Sequence, residues 1–132
     1  MVIDTSSILA ILLGESDAAL FAEAISRDSK RLLSAGTALE LMMVIEARKG
    51  EAGGRELDLL LHRAKIDTVP FDMDQAEIAR EAWRQYGKGR HPASLNFGDC
   101  FAYALAITSG EPLLFKGNDF NQTDIICALP GK

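Results

Sequence analysis

Short apolar runs at residues 1–3, 31–34, 66–71 and 113–115 alternate with stretches of helical periodicity. This alternation confines the chain to a mainly parallel sheet covered by helices on both faces. The first run ends at Asp4, and Thr5, Ser6 and Ser7 follow as capping types before the helical segment 8–13. After a break at Gly14, Ser16 or Asp17 can cap a second helix on which Ala18, Leu20, Phe21, Ala24 and Ile25 recur at helical spacing. Thr37 is expected to cap a third helix carrying Leu39, Met42, Met43 and Ala47 and ended by Gly50, with Leu57, Leu60, Leu61 and Ala64 on a further one. The strand at 66–71 exits through Pro70. Asp72 or Asp74 then opens a helix through Ala76, Ile78, Ala79, Ala82 and Trp83 that stops near Gly87. Asn96 resembles the cap of a last helix through Phe101, Ala104, Leu105 and Ile107, ended by Gly110. A turn-rich loop at 116–122 and an edge strand at 125–129 complete the expected order.

Composition sets the scale. With 132 residues, 48% of them hydrophobic and 25% charged, the chain can bury a core without disulfides or a structural metal, and reads as a single domain over 1–132. Its apolar content excludes intrinsic disorder. The longest apolar run, 8–13, falls far short of the ~20 residues that span a bilayer, and Asp4 stands where a signal peptide would carry positive charge. A cytoplasmic protein with no membrane attachment is therefore expected. Cys100 and Cys127 lack CxxC spacing and are expected to be reduced rather than bridged.

In an open parallel sheet, ligands bind outside the carboxyl ends of the strands. Four acids stand at such positions: Asp4 ends the first strand, Glu40 lies near the start of the helix after the second, Asp99 opens the late helix, and Asp119 sits in the loop after 113–115. Singly, each has a plainer reading: Asp4, Asp99 and Asp119 can cap or shape their turns, and Glu40 can be an ordinary first-turn acid. Together they would repel and raise one another's pKa unless a divalent cation neutralised them. Oxygen-only ligands favour Mg²⁺ or Mn²⁺, and no His or Cys set has zinc spacing. Such a site suits phosphodiester hydrolysis.

At these residues the sequence resembles a known family. The segments Val2-Ile3-Asp4-Thr5-Ser6, Ser34-Ala35-Gly36-Thr37-Ala38-Leu39-Glu40, Leu95-Asn96-Phe97-Gly98-Asp99-Cys100-Phe101-Ala102-Tyr103-Ala104 and Leu113-Leu114-Phe115-Lys116-Gly117-Asn118-Asp119-Phe120 together look like a PIN-domain protein of the VapC toxin group. The resemblance implies a three-layer α/β/α sandwich and a magnesium-dependent endoribonuclease, the toxin of a type II toxin-antitoxin pair. It also implies a homodimer held inactive by a cognate VapB-type antitoxin. Asp4, Glu40 and Asp99 match the family's acidic positions. Many relatives place an acid at the position of Gly117 or Asn118 as well, whereas here only Asp119 is acidic, which leaves open whether one or two ions bind. The resemblance also favours Ser6 over Thr5 as the hydroxyl that meets substrate phosphate.

Between Arg80 and His91, four cations (Arg80, Arg84, Lys88, Arg90) face the single anion Glu81, a local charge of +3 in a chain of net charge −5. A polyanionic substrate needs such a track beside an acid-rich mouth, so Lys88, Arg90 and His91 in the loop 87–94 are expected to contact RNA. His91 can also act as an acid or base, although Pro92 beside it points to a fixed loop conformation. Met42, Met43, Trp83, Phe101 and Tyr103 are expected in the core or at an interface. The early helices, with Leu12, Leu13, Leu20 and Phe21, can leave apolar surface for a second subunit or an antitoxin helix.

Two other functions compete. A small Mg²⁺-dependent phosphatase could use Asp4 as nucleophile, but the usual second Asp two residues on is Ser6 here. A non-catalytic PIN-like binding module would keep the fold and lose turnover, and the four intact acids count against it.

Overall fold

The computed structural model describes residues 1–129, so the last three residues of the expected domain lie outside the described residues. Its strands sort their side chains by single-residue alternation. Val2, Leu32 and Leu113 join one apolar cluster, while Ile3, Leu33 and Leu114 join the other. The strands β1 (Val2–Ile3), β2 (Leu32–Ser34), β3 (Asp67–Val69) and β4 (Leu113–Leu114) form one sheet in the order β3-β2-β1-β4, and every pairing is parallel. On one face lie α1 (Thr5–Leu12), α2 (Ala18–Arg27) and α3 (Ala35–Arg63), which bury Ile8, Phe21, Ile25, Leu41, Ile45 and Leu57 against it. On the other lie α4 (Met73–Tyr86) and α5 (Phe97–Ser109), contributing Ala82, Tyr86, Ala102, Tyr103 and Leu105. The expected three-layer α/β/α sandwich is thus the observed fold. Both cysteines are free, as expected.

Strand order locates the ligand edge. The chain runs outward from β1 to β2 and β3, then returns through α4 and α5 to place β4 on the other side of β1, so the direction of winding reverses between β1 and β4. That reversal opens a crevice at the carboxyl ends of these strands.

Two helices, α1 and α3, begin without an intervening loop, which places their caps upstream of the hydroxyl residues at 5–7 and 37. Asp4 itself caps α1 by accepting from Ser6 N at 3.1 Å. Ser34 caps α3 by accepting from Gly36 N at 3.3 Å, which leaves Thr37 buried inside the first turn. The expected stop at Gly50 is observed: Gly50 takes the non-helical φ 66°, ψ −164°, so α3 is two helical arms meeting there, the second of which runs to Arg63 and carries Leu57. The arms close tightly after it, since a Cβ at Gly53 would stand 2.5 Å from Lys49 Cβ and 3.2 Å from Ile45 O.

The expected edge strand at 125–129 does not form among the described residues. Only one parallel bridge, Leu113 to Cys127, is made, through Leu113 N to Ile126 O and Ala128 N to Leu113 O, both 2.9 Å. The reason is β4 itself: two residues long and turned away through Gly117 at φ 101°, it offers no further rung. Met42, Met43 and Trp83 are 40%, 65% and 43% exposed, which removes them from the core and leaves the interface alternative. Tyr103 is core, with its hydroxyl donating to Asp124 at 2.7 Å, and Phe21 is buried while Leu20 beside it is exposed.

Candidate active site

All four acids reach the carboxyl edge of the sheet, each delivered by a different strand-to-helix or strand-to-loop transition. Asp4 sits at the end of β1, its own N–H donating to Leu114 O of β4 at 2.9 Å. Glu40 extends from the second turn of α3. Asp99 is in the first turn of α5, and Asp119 follows β4 just before a short 3-10 turn, Phe120–Gln122.

Three of the carboxylates are half-anchored. Asp4 Oδ2 accepts from both the backbone and the hydroxyl of Ser6, the latter at 2.6 Å. The Thr5 hydroxyl donates to Glu40 Oε1. Asn96 and Asp99 form a reciprocal capping box: Asn96 N donates to Asp99 Oδ2 at 3.0 Å and Asp99 N to Asn96 Oδ1 at 2.9 Å. Among the described residues, the second oxygens of Asp4 and Glu40 accept no hydrogen bond. Glu40 Oε2 lies against Gly98, where a Cβ would come within 2.1 Å of it. Asp119 differs from these three: its side chain makes no capping bond to the turn it precedes.

Electrostatics ties the four together. Burial pushes Asp4 up to about 6 against the hydrogen bonds from Ser6, and the Glu40 charge adds to the rise. Burial likewise lifts Asp99 to about 7, with the Asp4 and Asp119 charges pushing the same way against the Asn96 N–H. Among the described residues no Lys or Arg pairs with any of the four. Lys116, nearest in sequence, is held by Glu15 at 2.9 Å and Asp17 at 3.1 Å instead.

A hard divalent cation fits this chemistry: carboxylates that raise one another's pKa in pairs, and no basic partner among the described residues. Among those residues no three His, Cys, Asp or Glu side chains are gathered into a ready-made ligand set, so the acids stand as coupled neighbours rather than a closed cage.

The hydroxyl of Ser6 is engaged on two sides, donating to Asp4 and accepting from Lys116 N at 2.9 Å, which makes it a clamp between β1 and β4. In the basic loop, the Arg90 guanidinium lies over the Trp83 ring at 4.1 Å. Lys88 lines a cavity between α4 and the start of α5. His91 is turned into the loop's own packing. Its Nδ1 accepts from Ala93 N at 3.0 Å and its ring meets Tyr86 edge-on at 5.2 Å.

Sequence reasoning passed over Gly98 and Phe97. Gly98 directly precedes Asp99, and a glycine inside the first turn of an otherwise apolar helix was the available signal for a close approach. Phe97, 81% exposed, carried no sequence signal that separates it from a buried aromatic.

A PIN domain model matches residues 1–126. The chain is 60% identical over 131 residues to Ribonuclease VapC30 of Mycobacterium tuberculosis, covering 98% of this chain and 100% of that one. It is 58% identical over 125 residues to a Ribonuclease VapC of Mycolicibacterium smegmatis, covering 95% and 97%. In fold it is similar to the M. tuberculosis toxin VapC20, described as cleaving the sarcin-ricin loop, with TM-score 0.76 and 16% identity over 95% of each chain. It is also similar to VapBC2 of Rickettsia felis, solved bound to a promoter DNA fragment, with TM-score 0.73 and 16% identity over 96% of this chain and 94% of that one.

Proposed function

The chain belongs to the PIN-domain family and is a VapC-type endoribonuclease toxin; from that premise we propose that Asp4, Glu40, Asp99 and Asp119 form its active site and bind Mg²⁺ or Mn²⁺. What supports this reading is the pairwise electrostatic influence of Glu40 on Asp4 and of Asp4 and Asp119 on Asp99, with Asp4 and Asp99 both raised in pKa and none of the four paired to a cation among the described residues. When bound there, a divalent cation supplies positive charge for the scissile phosphate and lowers the pKa of water.

The chain's own residues do the positioning. Ser6 fixes Asp4, Thr5 fixes Glu40 and Asn96 fixes Asp99, each by holding one carboxylate oxygen and leaving the other for the ligand. Ser6, through its clamp to Lys116 N, also keeps the β4 loop and Asp119 in reach. Lys88 and Arg90 meet the RNA backbone, with His91 limited to a contact through Nε2. A VapB-type antitoxin is the expected regulatory partner of a toxin in this family, and the protein acts as a cytoplasmic homodimer. No helix among the described residues is long and apolar enough to cross a membrane.

Purified protein should cleave RNA with Mg²⁺, lose that activity to a chelator, and lose it in Asp4→Asn. Hydrolysis of a small phosphomonoester in place of RNA would instead favour the phosphatase, and ion-independent RNA binding without turnover the non-catalytic module.

A further inference from the structure

A groove of about 490 Å³ between α4 and the start of α5 adjoins the acid site without being part of it. Its wall is aromatic. Phe97 is 81% exposed and Trp83 43%, an unusual display for large apolar rings. The rings are also held rigidly. Phe101 lies flat on Gly36, where a Cβ would come within 2.2 Å of it. It meets Phe71 edge-on at 4.6 Å and Phe97 at 5.0 Å.

The rim is cationic. Arg80 and Lys88 line the groove and Arg90 covers one face of Trp83. Among the described residues these three form no ion pair, whereas Arg84 on the same helix is matched to Glu81 at 2.8 Å. The groove is continuous with the active site through Asn96, which lines it and donates its N–H to Asp99.

We propose that this groove receives an unpaired nucleobase of the RNA, next to the phosphodiester that is cut, stacked against Phe97 and Trp83 with flanking phosphates on Arg80 and Lys88. Exposed aromatics interleaved with unpaired cations are what a single strand requires: ring faces for bases, charge for phosphates. A second copy of the chain fits less well, because a two-fold contact there would set Arg80, Lys88 and Arg90 against the same residues of the partner. The inference rests on the ribonuclease reading and deepens it: the substrate must be single-stranded at this point.

Trp83 is the only tryptophan, so its emission reports on the groove directly. With Mg²⁺ withheld by chelator, titrating a short single-stranded oligoribonucleotide of mixed sequence should quench Trp83 saturably. Inorganic polyphosphate, which has charge but no bases, should bind without quenching, and a fully paired duplex should quench little. Phe97→Ala should weaken single-strand affinity on the order of 10-fold and leave duplex affinity unchanged, while Phe97→Trp should restore it. Phe97 is exposed, so an unchanged melting temperature will show that the fold is kept. Equal quenching by polyphosphate, binding of the single strand without quenching, or Phe97→Ala matching the parent would each overturn the proposal. So would a shift in Trp83 emission on dilution alone that tracks dimer dissociation, which would assign the groove to a second copy. RNA cleavage by the parent with Mg²⁺ is scored separately: absence of cleavage defeats the ribonuclease reading, whereas cleavage without quenching defeats only the groove.

Discussion

Gly98 and Glu40 are in direct contact: the Glu40 carboxylate occupies the space where a Cβ at Gly98 would stand, 2.1 Å from Oε2. One missing methyl group on α5 therefore admits an acid from α3 to the crevice beside Asp99. Gly98→Ala raises the intrinsic helix propensity of α5 by up to about 1 kcal/mol, yet it must displace Glu40. Cleavage should fall on the order of 100-fold through misplacement of one acid, with secondary structure retained. Single-turnover RNA cleavage alongside circular dichroism checks this, and parental activity in Gly98→Ala would show that Glu40's position is immaterial.

The acid cluster should cost stability when no cation is bound. Asp4 and Asp99 have folded-state pKa values raised to about 6 and about 7 above the ordinary 3.8, so the native state binds more protons than the unfolded state between those limits. Their contribution is accordingly most favourable below about pH 4, falls as pH rises through that window, and is fully unfavourable above about pH 7. Asp4→Asn removes one of the charges while keeping an acceptor for Ser6. In chelator at pH 8 the variant should melt above the parent by on the order of 5 °C, and near pH 4 the gap should close. A scan of melting temperature against pH, repeated with Mg²⁺ to stabilise only the parent, decides it.

Asp119 and Asn118 separate by what they already do. Asn118 Oδ1 accepts from Asn121 Nδ2 at 3.3 Å, a local bond within the loop, while Asp119 makes no capping bond and raises the pKa of Asp99. Asp119→Asn should keep the loop, since Asn tolerates the same turn, but raise the Mg²⁺ concentration needed for cleavage. Asn118→Ala should change that requirement little. Single-turnover cleavage over a Mg²⁺ series measures both, and a parental curve for Asp119→Asn would remove it from the ligand set.

The layered fold was legible because it depends on local pattern: apolar runs mark the strands, and Asp4 directly after the first of them marks the sheet's carboxyl edge, whereas Glu40, Asp99 and Asp119 depend on the turns and helices that follow. Caps were displaced because Asp4 and Ser34 serve strand and helix at once, and no propensity distinguishes a cap that ends a strand from one that follows a loop. The edge strand at 125–129 failed for a non-local reason, the shortness of β4, to which its own apolar residues gave no clue. The bond from Lys116 N to the Ser6 hydroxyl spans 110 positions and has no local signal in the sequence. Exposure of Trp83 and Phe97 likewise depends on what the fold leaves uncovered, and helical spacing is the same for a buried ring and a bare one.

Arg90 stacks on Trp83 at 4.1 Å, forms no ion pair among the described residues, and stands in a loop that leads to Asp99's helix. A guanidinium held over an indole keeps its edge N–H groups available, so stacking and phosphate contact are compatible. If Arg90 contacts one phosphate, Arg90→Ala should weaken RNA binding and lower the slope of log affinity against log salt by about 0.7, the value for one phosphate on a single strand. Metal affinity, set by the carboxylates, should stay nearly unchanged. If Arg90 serves only to cover Trp83, the variant will instead bind RNA with the parental slope and show an altered Trp83 emission in the free protein. Anisotropy titrations of a labelled single strand across a salt series, with Mg²⁺ binding measured in parallel by calorimetry, separate the two outcomes.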